Sequence, residues 1–320
     1  MNFKIYFLIG SFLFFMIAPS FLSPYTLHVL LMIFFYAYLG TSWSIIGGYA
    51  GQLSIGHSAF FGIGAYTSTI LFIKLGVTPW IGMICGGFLG MLGGLFMGYL
   101  TFQYRLKGVY FALATIAFSI VLKQIVLNWR MLGGAMGLLI PLKGNSFYLF
   151  QFDDKQYYYY IVYFMLVIVI ILARLIEKSW LGSYLVSIRD DEEAAESLGV
   201  DSRKCKLIAM AISSFLTAVG GTFYAQYLFY IEPETVFGVA LSIDIILRPI
   251  VGGAATLFGP LLGSFIMGFF SEITRMFLGG VHHGLHLMVY AVILIVVVIF
   301  LPNGIVELVR SLGRYSSNKT

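Results

Sequence analysis

Charged side chains, the groups most able to do chemistry, are concentrated in one stretch of this chain. Of its charged residues (19 Lys and Arg, 14 Asp and Glu), twelve lie between Glu177 and Lys206. They are Glu177, Lys178, Arg189, Asp190, Asp191, Glu192, Glu193, Glu196, Asp201, Arg203, Lys204 and Lys206. Apolar runs flank this stretch, Ile161–Ile176 before it and Leu207–Leu228 after it. We call residues 177–206 the charged loop and expect it to meet a partner.

A single short helix is predicted inside the charged loop, over about residues 191–198. Asp190 and Asp191 can cap it, and acidic residues in the first turn suit the helix dipole. Gly199 supplies a left-handed stop. The small and apolar contacts that this helix offers are Ala194, Ala195 and Leu198. Because so short a helix is marginal alone in water, we expect it to need a partner surface.

Two pairs of opposite charges lie within or at the end of apolar runs. Asp244 and Arg248 are four residues apart, so on a helix they can neutralise each other. Glu272 and Arg275 can do the same at the end of a run. Charges inside a membrane are expensive and usually face the interior of a helix bundle. We expect both pairs to be structural.

No catalytic or metal-binding pattern is present in the sequence. His282, His283 and His286 are close together, but no carboxylate or cysteine stands near them, which favours interfacial histidines over a metal site. The chain has no phosphate-binding loop, zinc-protease motif or nucleophile elbow. The sequence therefore indicates neither an enzyme nor a bound cofactor or metal.

The composition is that of an integral membrane protein. The chain is 60% hydrophobic and 10% charged, with a mean hydropathy of +0.93, whereas soluble chains carry about 25% charged residues. Several apolar segments approach the roughly 20 residues that a helix needs to cross a bilayer. We expect an all-α polytopic bundle of eight to ten spans. The segments are at about 5–22, 28–48, 57–75, 80–103, 109–128, 158–176, 207–229, 239–252, 254–271 and 285–301.

Lysine and arginine counts predict the orientation. With the N-terminus inside, twelve basic residues are cytoplasmic and five lie on the opposite side, which favours cytoplasmic termini and a cytoplasmic charged loop. The twelve are Lys4, Arg105, Lys107, Arg174, Lys178, Arg189, Arg203, Lys204, Lys206, Arg310, Arg314 and Lys319; the five are Lys74, Arg130, Lys143, Lys155 and Arg275. Because these residues are dispersed, the net charge of +5 does not indicate nucleic-acid binding.

Glycines mark two further features. Five of them recur at every fourth position, which predicts a helix face for close packing, with pore lining as the alternative. These are Gly82, Gly86, Gly90, Gly94 and Gly98. Glycine pairs adjoin the segments 57–75 and 239–252, which we therefore expect to be broken or re-entrant. Such interruptions point to a translocation pathway, with ordinary turns near the cytoplasmic surface as the alternative. The candidate pathway residues are Gly51, Gln52, Ser54, His57, Asp244, Gly252 and Gly253.

Three stretches, 51–66, 106–115 and 189–199, resemble one family. The most specific reads Gly-Gln-Leu-Ser-Ile-Gly-His-Ser-Ala-Phe-Phe-Gly-Ile-Gly-Ala-Tyr, and the last contains Glu-Ala-Ala followed by glycine four residues on. Together they resemble the high-affinity branched-chain amino acid permeases, over about residues 28–302. The chain departs from that family at Arg248-Pro249, where residues are normally apolar, and at 252–256, where Gly-Gly-x-Gly-Ser/Thr is usual.

The resemblance implies an ABC importer in the bacterial inner membrane. Two permeases, of which this chain is one, would work with two ATPases and an extracytoplasmic binding protein, and ATP and Mg would bind to the ATPases. Residues 1–302 would form the permease domain, containing the charged loop, and 303–320 a cytoplasmic tail. A coupling helix resting on the ATPase would contain Arg189, Asp190, Asp191, Glu193, Ala194, Ala195 and Gly199.

Three alternatives stay open at this stage. A urea or short-amide permease shares the same motifs. An ion-coupled secondary transporter would need no ATPase, and a membrane scaffold would carry no substrate.

Overall fold

The structure, a computed structural model, describes residues 14–278 and Gly304. This part of the chain is almost entirely helical, and its two strands, β1 (Leu138–Leu139) and β2 (Tyr230–Ile231), form a single short antiparallel pair. The helices are α1 (Pro24–Ser44), α2 (His57–Leu75), α3 (Pro79–Gln103), α4 (Gly108–Asn128), α5 (Lys155–Lys178), α6 (Trp180–Asp190), α7 (Glu192–Ser197), α8 (Ser202–Leu228), α9 (Pro233–Val236), α10 (Val239–Gly252) and α11 (Gly259–Leu278). The prediction of an all-α bundle is confirmed.

Seven helical segments of the described chain are long and apolar enough to cross a membrane. They are Pro24–Tyr49, α2, α3, α4, α5, α8 and Pro233–Gly252. Each matches a predicted span. The predicted segment 254–271 becomes helical only at Gly259, in α11. The predicted spans 5–22 and 285–301 fall largely or wholly outside the described residues.

Polar caps begin several of these helices. The Ser23 hydroxyl accepts the Thr26 amide at the start of α1, and the Asp154 carboxylate accepts the Gln156 amide at the start of α5. Each cap satisfies a backbone donor that the first helical turn leaves unpaired. Local sequence thus determines where the chain enters these helices.

The glycine face of α3 lies against α2 and α8. Gly82 and Gly86 contact α2, and the remaining three face α8. A Cβ on Gly90 would lie 2.4 Å from the Ala218 Cβ, and one on Gly94 would lie 2.2 Å from the Ser214 hydroxyl. All five glycines are buried. Only a residue without a side chain permits this helix spacing.

Two irregular segments interrupt the bundle between helices. At the end of α1 the chain widens into a π-helical turn, Ile45–Tyr49, and is non-helical from residue 50 until α2; we call residues 45–56 the first break. Residues 253–258, between α10 and α11, form the second break. Helices α2 and α10 are themselves continuous, so the interruptions adjoin these two segments and do not divide them. Gly47 and Gly48 lie in the π turn of the first break, and Gly252 and Gly253 lie where α10 meets the second break.

Helix α2 begins deep in the bundle. Its Phe60 carbonyl lies beside Gly90 of α3, and α3 continues from there to Gln103. At 1.5 Å per residue, that remainder extends about 20 Å past the level of Phe60, and so about 15 Å past the start of α2. The first break must therefore run through the interior, where non-helical backbone is tolerated only when protein or a cavity surrounds it.

Candidate functional site: the charged loop and the two membrane breaks

The charged loop folds into two helices, where the sequence predicted one. Residues 180–190 form α6, and α7 follows after the single residue Asp191. The Asp191 carboxylate accepts the amides of Glu193 and Ala194, both at 3.0 Å. Gly199 has the predicted left-handed backbone, with φ of +89°. Asp190, predicted as a cap, is the last residue of α6. The prediction missed α6 because its apolar residues continue the pattern of the preceding span.

A buried ion pair anchors the inner side of α7. The Glu192 carboxylate lies 2.5 Å from the Lys206 ammonium and 3.2 Å from that of Lys107. Lys206 is only 1% exposed and lies over the Phe102 ring. Burial acts to raise the pKa of Glu192, but the hydrogen bonds and charges of the two lysines outweigh it and hold that pKa below its ordinary value. These contacts fasten α7 to α8 and to the α3–α4 connection.

A second anchor lies one turn further along α7. The Glu196 carboxylate lies 3.5 Å from the Arg105 guanidinium and accepts a hydrogen bond from the Ser202 hydroxyl. Sequence reasoning found neither anchor, because Arg105 and Lys107 come from the α3–α4 connection and no local spacing indicates the pairing.

The outer side of α7 is open. Glu193 and Ala194 are exposed, and Leu198 is 86% exposed. Ala195 is buried against the rest of the helix bundle. Of the three predicted small and apolar contacts, Ala194 and Leu198 therefore face away from this chain. The result is a small apolar face bordered by acidic residues, presented on an anchored helix.

Arg189 connects the charged loop to the first break. Its Nη1 donates to the Gly48 carbonyl at 3.2 Å, and its Nη2 lies 3.2 Å from the Asp190 carboxylate. Its aliphatic stem lies against Gly51, where a Cβ would come within 2.7 Å of the Arg189 Cγ. Gly51 also has φ of +67°, a backbone conformation that favours glycine. The end of α6 and the first break are thus in direct contact.

The two breaks contact each other through Gly48. A Cβ on this residue would lie 1.9 Å from the Ala254 carbonyl oxygen. The second break turns sharply there, since Gly253 has φ of +118° and Gly252 abuts the Gly259 carbonyl. A continuous line of contacts therefore runs from Arg189 through Gly48 to Ala254.

His57 holds the end of the first break at the start of α2. Its Nδ1 lies 2.9 Å from the Ser54 hydroxyl and its Nε2 lies 2.8 Å from the Ser213 hydroxyl. Because Ser213 donates its own proton to the Ser42 carbonyl, it must accept from His57. The proton is therefore on Nε2, and Nδ1 accepts from Ser54. Fully buried, His57 joins α1, α2 and α8 to the break.

Other contacts hold the same segment in place. The Trp43 indole donates to the Ser54 carbonyl at 2.8 Å, and the Ile55 amide donates to the Thr115 hydroxyl at 2.9 Å. Gln52 is buried, and its Oε1 accepts no hydrogen bond from the described residues. Non-helical backbone in the bundle interior is thus paired largely with neighbouring side chains, as the low dielectric requires.

A serine cluster, which the sequence did not indicate, ties α2 to α10. The Ser242 hydroxyl accepts the Ser58 amide at 2.9 Å and donates to the Ser58 hydroxyl at 2.9 Å. The Ser119 hydroxyl of α4 lies 2.8 Å from that of Ser58 and donates to the Phe237 carbonyl. The residues come from three distant segments, so no sequence spacing predicts them.

The predicted pathway residues do not form one group. Gly51, Gln52, Ser54 and His57 follow the first break, and Gly252 and Gly253 border the second. Asp244 lies apart from both, on the wall of a cavity of about 750 Å³ between α1, α8, α9, α10 and α11.

The predicted pairing of Asp244 with Arg248 is confirmed, since the Arg248 Nη2 lies 3.3 Å from the Asp244 Oδ1. The predicted partner of Glu272, Arg275, has no described side chain, and Glu272 accepts a hydrogen bond from the Tyr25 hydroxyl at 2.6 Å. Within residues 14–278, no cluster of histidine, cysteine and acidic side chains could hold a metal ion. The three histidines at 282, 283 and 286 lie outside the described chain.

Comparison with known proteins agrees with this architecture. A family model described as "Branched-chain amino acid transport system / permease component" matches residues 25–298. The chain is 25% identical to the high-affinity branched-chain amino acid transport system permease protein LivM of Escherichia coli K12, over 91% of this chain and 72% of that protein. The Salmonella typhimurium LivM protein gives the same identity and coverage.

The chain is also 27% identical to the ribose import permease protein RbsC of Haemophilus influenzae, over a shorter alignment that covers 31% of this chain and 32% of that protein. No solved structure gives a significant match. The family match covers most of the chain and spans both breaks and the charged loop. The chain therefore belongs to the family of permease components of branched-chain amino acid transport systems.

Proposed function

We propose that this chain is a membrane permease subunit of an ATP-driven importer for branched-chain or related amino acids in the bacterial inner membrane. It pairs with a second, homologous permease and receives substrate from an extracytoplasmic binding protein. Two cytoplasmic ATPase subunits bind ATP and Mg and dock on α7. Both termini and the charged loop are cytoplasmic in this assignment. The family match and the LivM relatives support the substrate class.

One observation carries the coupling role: the line of contacts from the charged loop to both membrane breaks. Arg189 binds the carbonyl of Gly48, and Gly48 abuts Ala254. Because α7 is fixed to α8 by the buried Glu192–Lys206 pair and to the α3–α4 connection by the pairs with Lys107 and Arg105, a pull on α7 moves these elements together. The same pull reaches the breaks through Arg189. Closure of the ATPases then rocks the helices and alternates access to the path between them.

The outer face of α7 fits a docking role. Ala194 and Leu198 offer a small apolar surface, and Glu193 adds a negative charge beside it. The helix itself is capped at both ends and anchored from behind. A partner therefore meets a rigid element and loses little conformational entropy on binding.

The docking assignment is tested by placing charge on this face. Ala194→Asp combined with Leu198→Asp changes two exposed side chains, so folding should be preserved. We expect the variant to reach the membrane, to lose ATPase co-purification and to lose leucine uptake in proteoliposomes. Leu142→Asp, at an equally exposed leucine remote from α7, is the matched control and should behave as wild type. Retention of both ATPase binding and uptake by the α7 variant would show that the docking assignment is wrong.

A more severe variant tests the shape of the same element. Glu193→Lys reverses the charge beside the apolar face, and Gly199→Pro is incompatible with the backbone φ of +89° that ends α7. The double variant should abolish ATPase stimulation together with uptake. Competition between leucine and urea for uptake by the wild-type transporter tests the substrate class separately.

A further inference from the structure

Arg248 is buried with an incompletely satisfied guanidinium. The residue is 5% exposed, and its Nε has no hydrogen-bond partner among the described residues. Its contacts to the two Asp244 oxygens are long, 3.3 and 3.4 Å, compared with the roughly 2.7–2.9 Å of a strong charge-assisted bond. Both contacts use the same nitrogen, Nη2.

The guanidinium lies at the wall of the 750 Å³ cavity described above. Its carbon lies 3.7 Å from the centre of the Tyr36 ring, which holds the group from one side. The volume suits a small organic molecule, since ligand sites measure about 300–1,000 Å³. A buried arginine with spare donors beside such a space is a ready carboxylate site, because its planar fork matches a carboxylate.

The rest of the lining is mixed in character. Apolar side chains cover much of the wall, and acidic groups stand beside the arginine. The apolar residues are Val29, Met32, Ile33, Leu241, Ile243 and Leu247. Three carboxylates line the same cavity: Asp244, one helical turn from Arg248, Glu234, which is paired with Lys123, and Glu272, which accepts a hydrogen bond from Tyr25. The cavity therefore combines a cationic group, an anionic group and an aliphatic surface.

We propose that this cavity is a transit site for a zwitterionic amino acid with an aliphatic side chain. Arg248 binds the α-carboxylate through the donors that Asp244 leaves unused. Asp244 binds the α-ammonium, and the apolar wall accepts the side chain. When the amino acid binds, the Asp244–Arg248 ion pair is replaced by one contact from each residue to the ligand. Arg248 and Asp244 therefore both keep a partner of opposite charge. That the bound amino acid is in transit across the membrane rests on the proposed function. That the cavity binds such an amino acid does not.

Direct binding tests the site without the rest of the transporter. Purified full-length chain in lipid nanodiscs is titrated with radiolabelled L-leucine, L-leucinamide and 4-methylpentanoate. The amide lacks the carboxylate and the acid lacks the ammonium, so both should bind at least about tenfold more weakly than leucine. Arg248→Gln should weaken leucine binding by a similar factor, and Arg174→Gln, at an exposed pair on α5, should not change it.

A second measurement does not depend on an intact Arg248. In a Cys85→Ala, Cys205→Ala background, Leu241→Cys places a thiol on the cavity wall. Leucine should slow its alkylation by a small aqueous reagent, and leucinamide should not. Absence of leucine binding, equal binding of 4-methylpentanoate, or alkylation that leucine leaves unchanged each contradicts the proposed site.

Uptake by the reconstituted transporter separates the two proposals. Leucine uptake that Arg248→Gln leaves intact would overturn the transit site while the proposed function stands. Leucine binding without any leucine uptake by the wild-type transporter would instead overturn the proposed function and keep the site.

Discussion

The backbones of Gly48 and Ala254 are in direct contact, although the two residues belong to opposite halves of the chain. A Cβ on Gly48 would lie 1.9 Å from the Ala254 carbonyl oxygen. Because the obstacle is backbone, no side-chain rotation can relieve the overlap. This contact joins the first break to the second, and Arg189 lies beside it.

Gly48→Ala should therefore force the two breaks apart. We expect a fall of several degrees in the melting temperature of the purified chain and a loss of at least about tenfold in leucine uptake, because contacts at both breaks are displaced. Gly93→Ala is the control, since its Cβ would meet only the flexible end of Ile63 at 3.1 Å. If Gly48→Ala has the melting temperature and the leucine uptake of wild type, the two breaks do not move as a unit.

The glycine face of α3 allows a second comparison within one helix. Gly90→Ala brings a methyl group to 2.4 Å from the Ala218 Cβ, so α3 and α8 must separate. We expect a destabilisation of about 1–3 kcal/mol, as in other overpacked cores. Gly93→Ala lies three residues away, where a Cβ would meet only the side-chain ends of Ile63 and Phe60, and it should be neutral. Thermal unfolding in detergent checks both, and equal melting temperatures would contradict the packing role of the face.

The Glu192 ion pair predicts a pH-dependent stability. The folded-state pKa of Glu192 lies below its ordinary value, so the carboxylate contributes stability that is present above the unfolded pKa of about 4.3. That contribution is lost as the pH falls through the lower folded-state pKa. At neutral pH, Glu192→Gln leaves the Lys206 charge buried without its partner and should cost about 3 kcal/mol.

Melting curves of wild type and Glu192→Gln check this between about pH 3.5 and pH 7. The difference in melting temperature between wild type and Glu192→Gln should become smaller as the pH falls. Adding Lys206→Met to Glu192→Gln removes the stranded charge and should recover part of the stability. A gap that is constant with pH would mean that the ion pair does not anchor α7.

The proposed orientation predicts opposite accessibility for two exposed leucines. In a chain without its native cysteines, Leu142→Cys should react with a membrane-impermeant reagent in intact spheroplasts. Leu198→Cys, directly after α7, should react only after the membrane is permeabilised, in cells that express the chain without the ATPase subunits. The reverse pattern would place the charged loop outside and exclude docking to a cytoplasmic ATPase.

Hydropathy and local capping rules predicted much of the fold. Seven spans were found because apolar length alone identifies a membrane helix. The Asp191 cap, the Gly199 stop and the pairing of Asp244 with Arg248 were predictable because each involves residues within one or two helical turns. Features of this kind depend only on residues that are close together in the sequence.

The features that sequence did not indicate depend on distant residues. Helix α6 was missed because its apolar side chains resemble a continuation of α5. The bond between Ser58 and Ser242 and the pair of Glu192 with Lys206 form only once the helices have packed. The sequence identified Arg189 as a candidate coupling residue, but it did not predict the hydrogen bond from Arg189 to the Gly48 carbonyl.

The most direct test of the account is the Arg189→Ala variant in the complete transporter, with Arg174→Ala as the control for loss of an arginine. Arg189→Ala leaves the exposed face of α7 intact and removes the link to the first break, together with the exposed ion pair to Asp190. We predict that the ATPases still bind and hydrolyse ATP, while leucine uptake per ATP hydrolysed falls at least about tenfold. Uptake per ATP that equals the wild-type value would contradict coupling through Arg189 and Gly48.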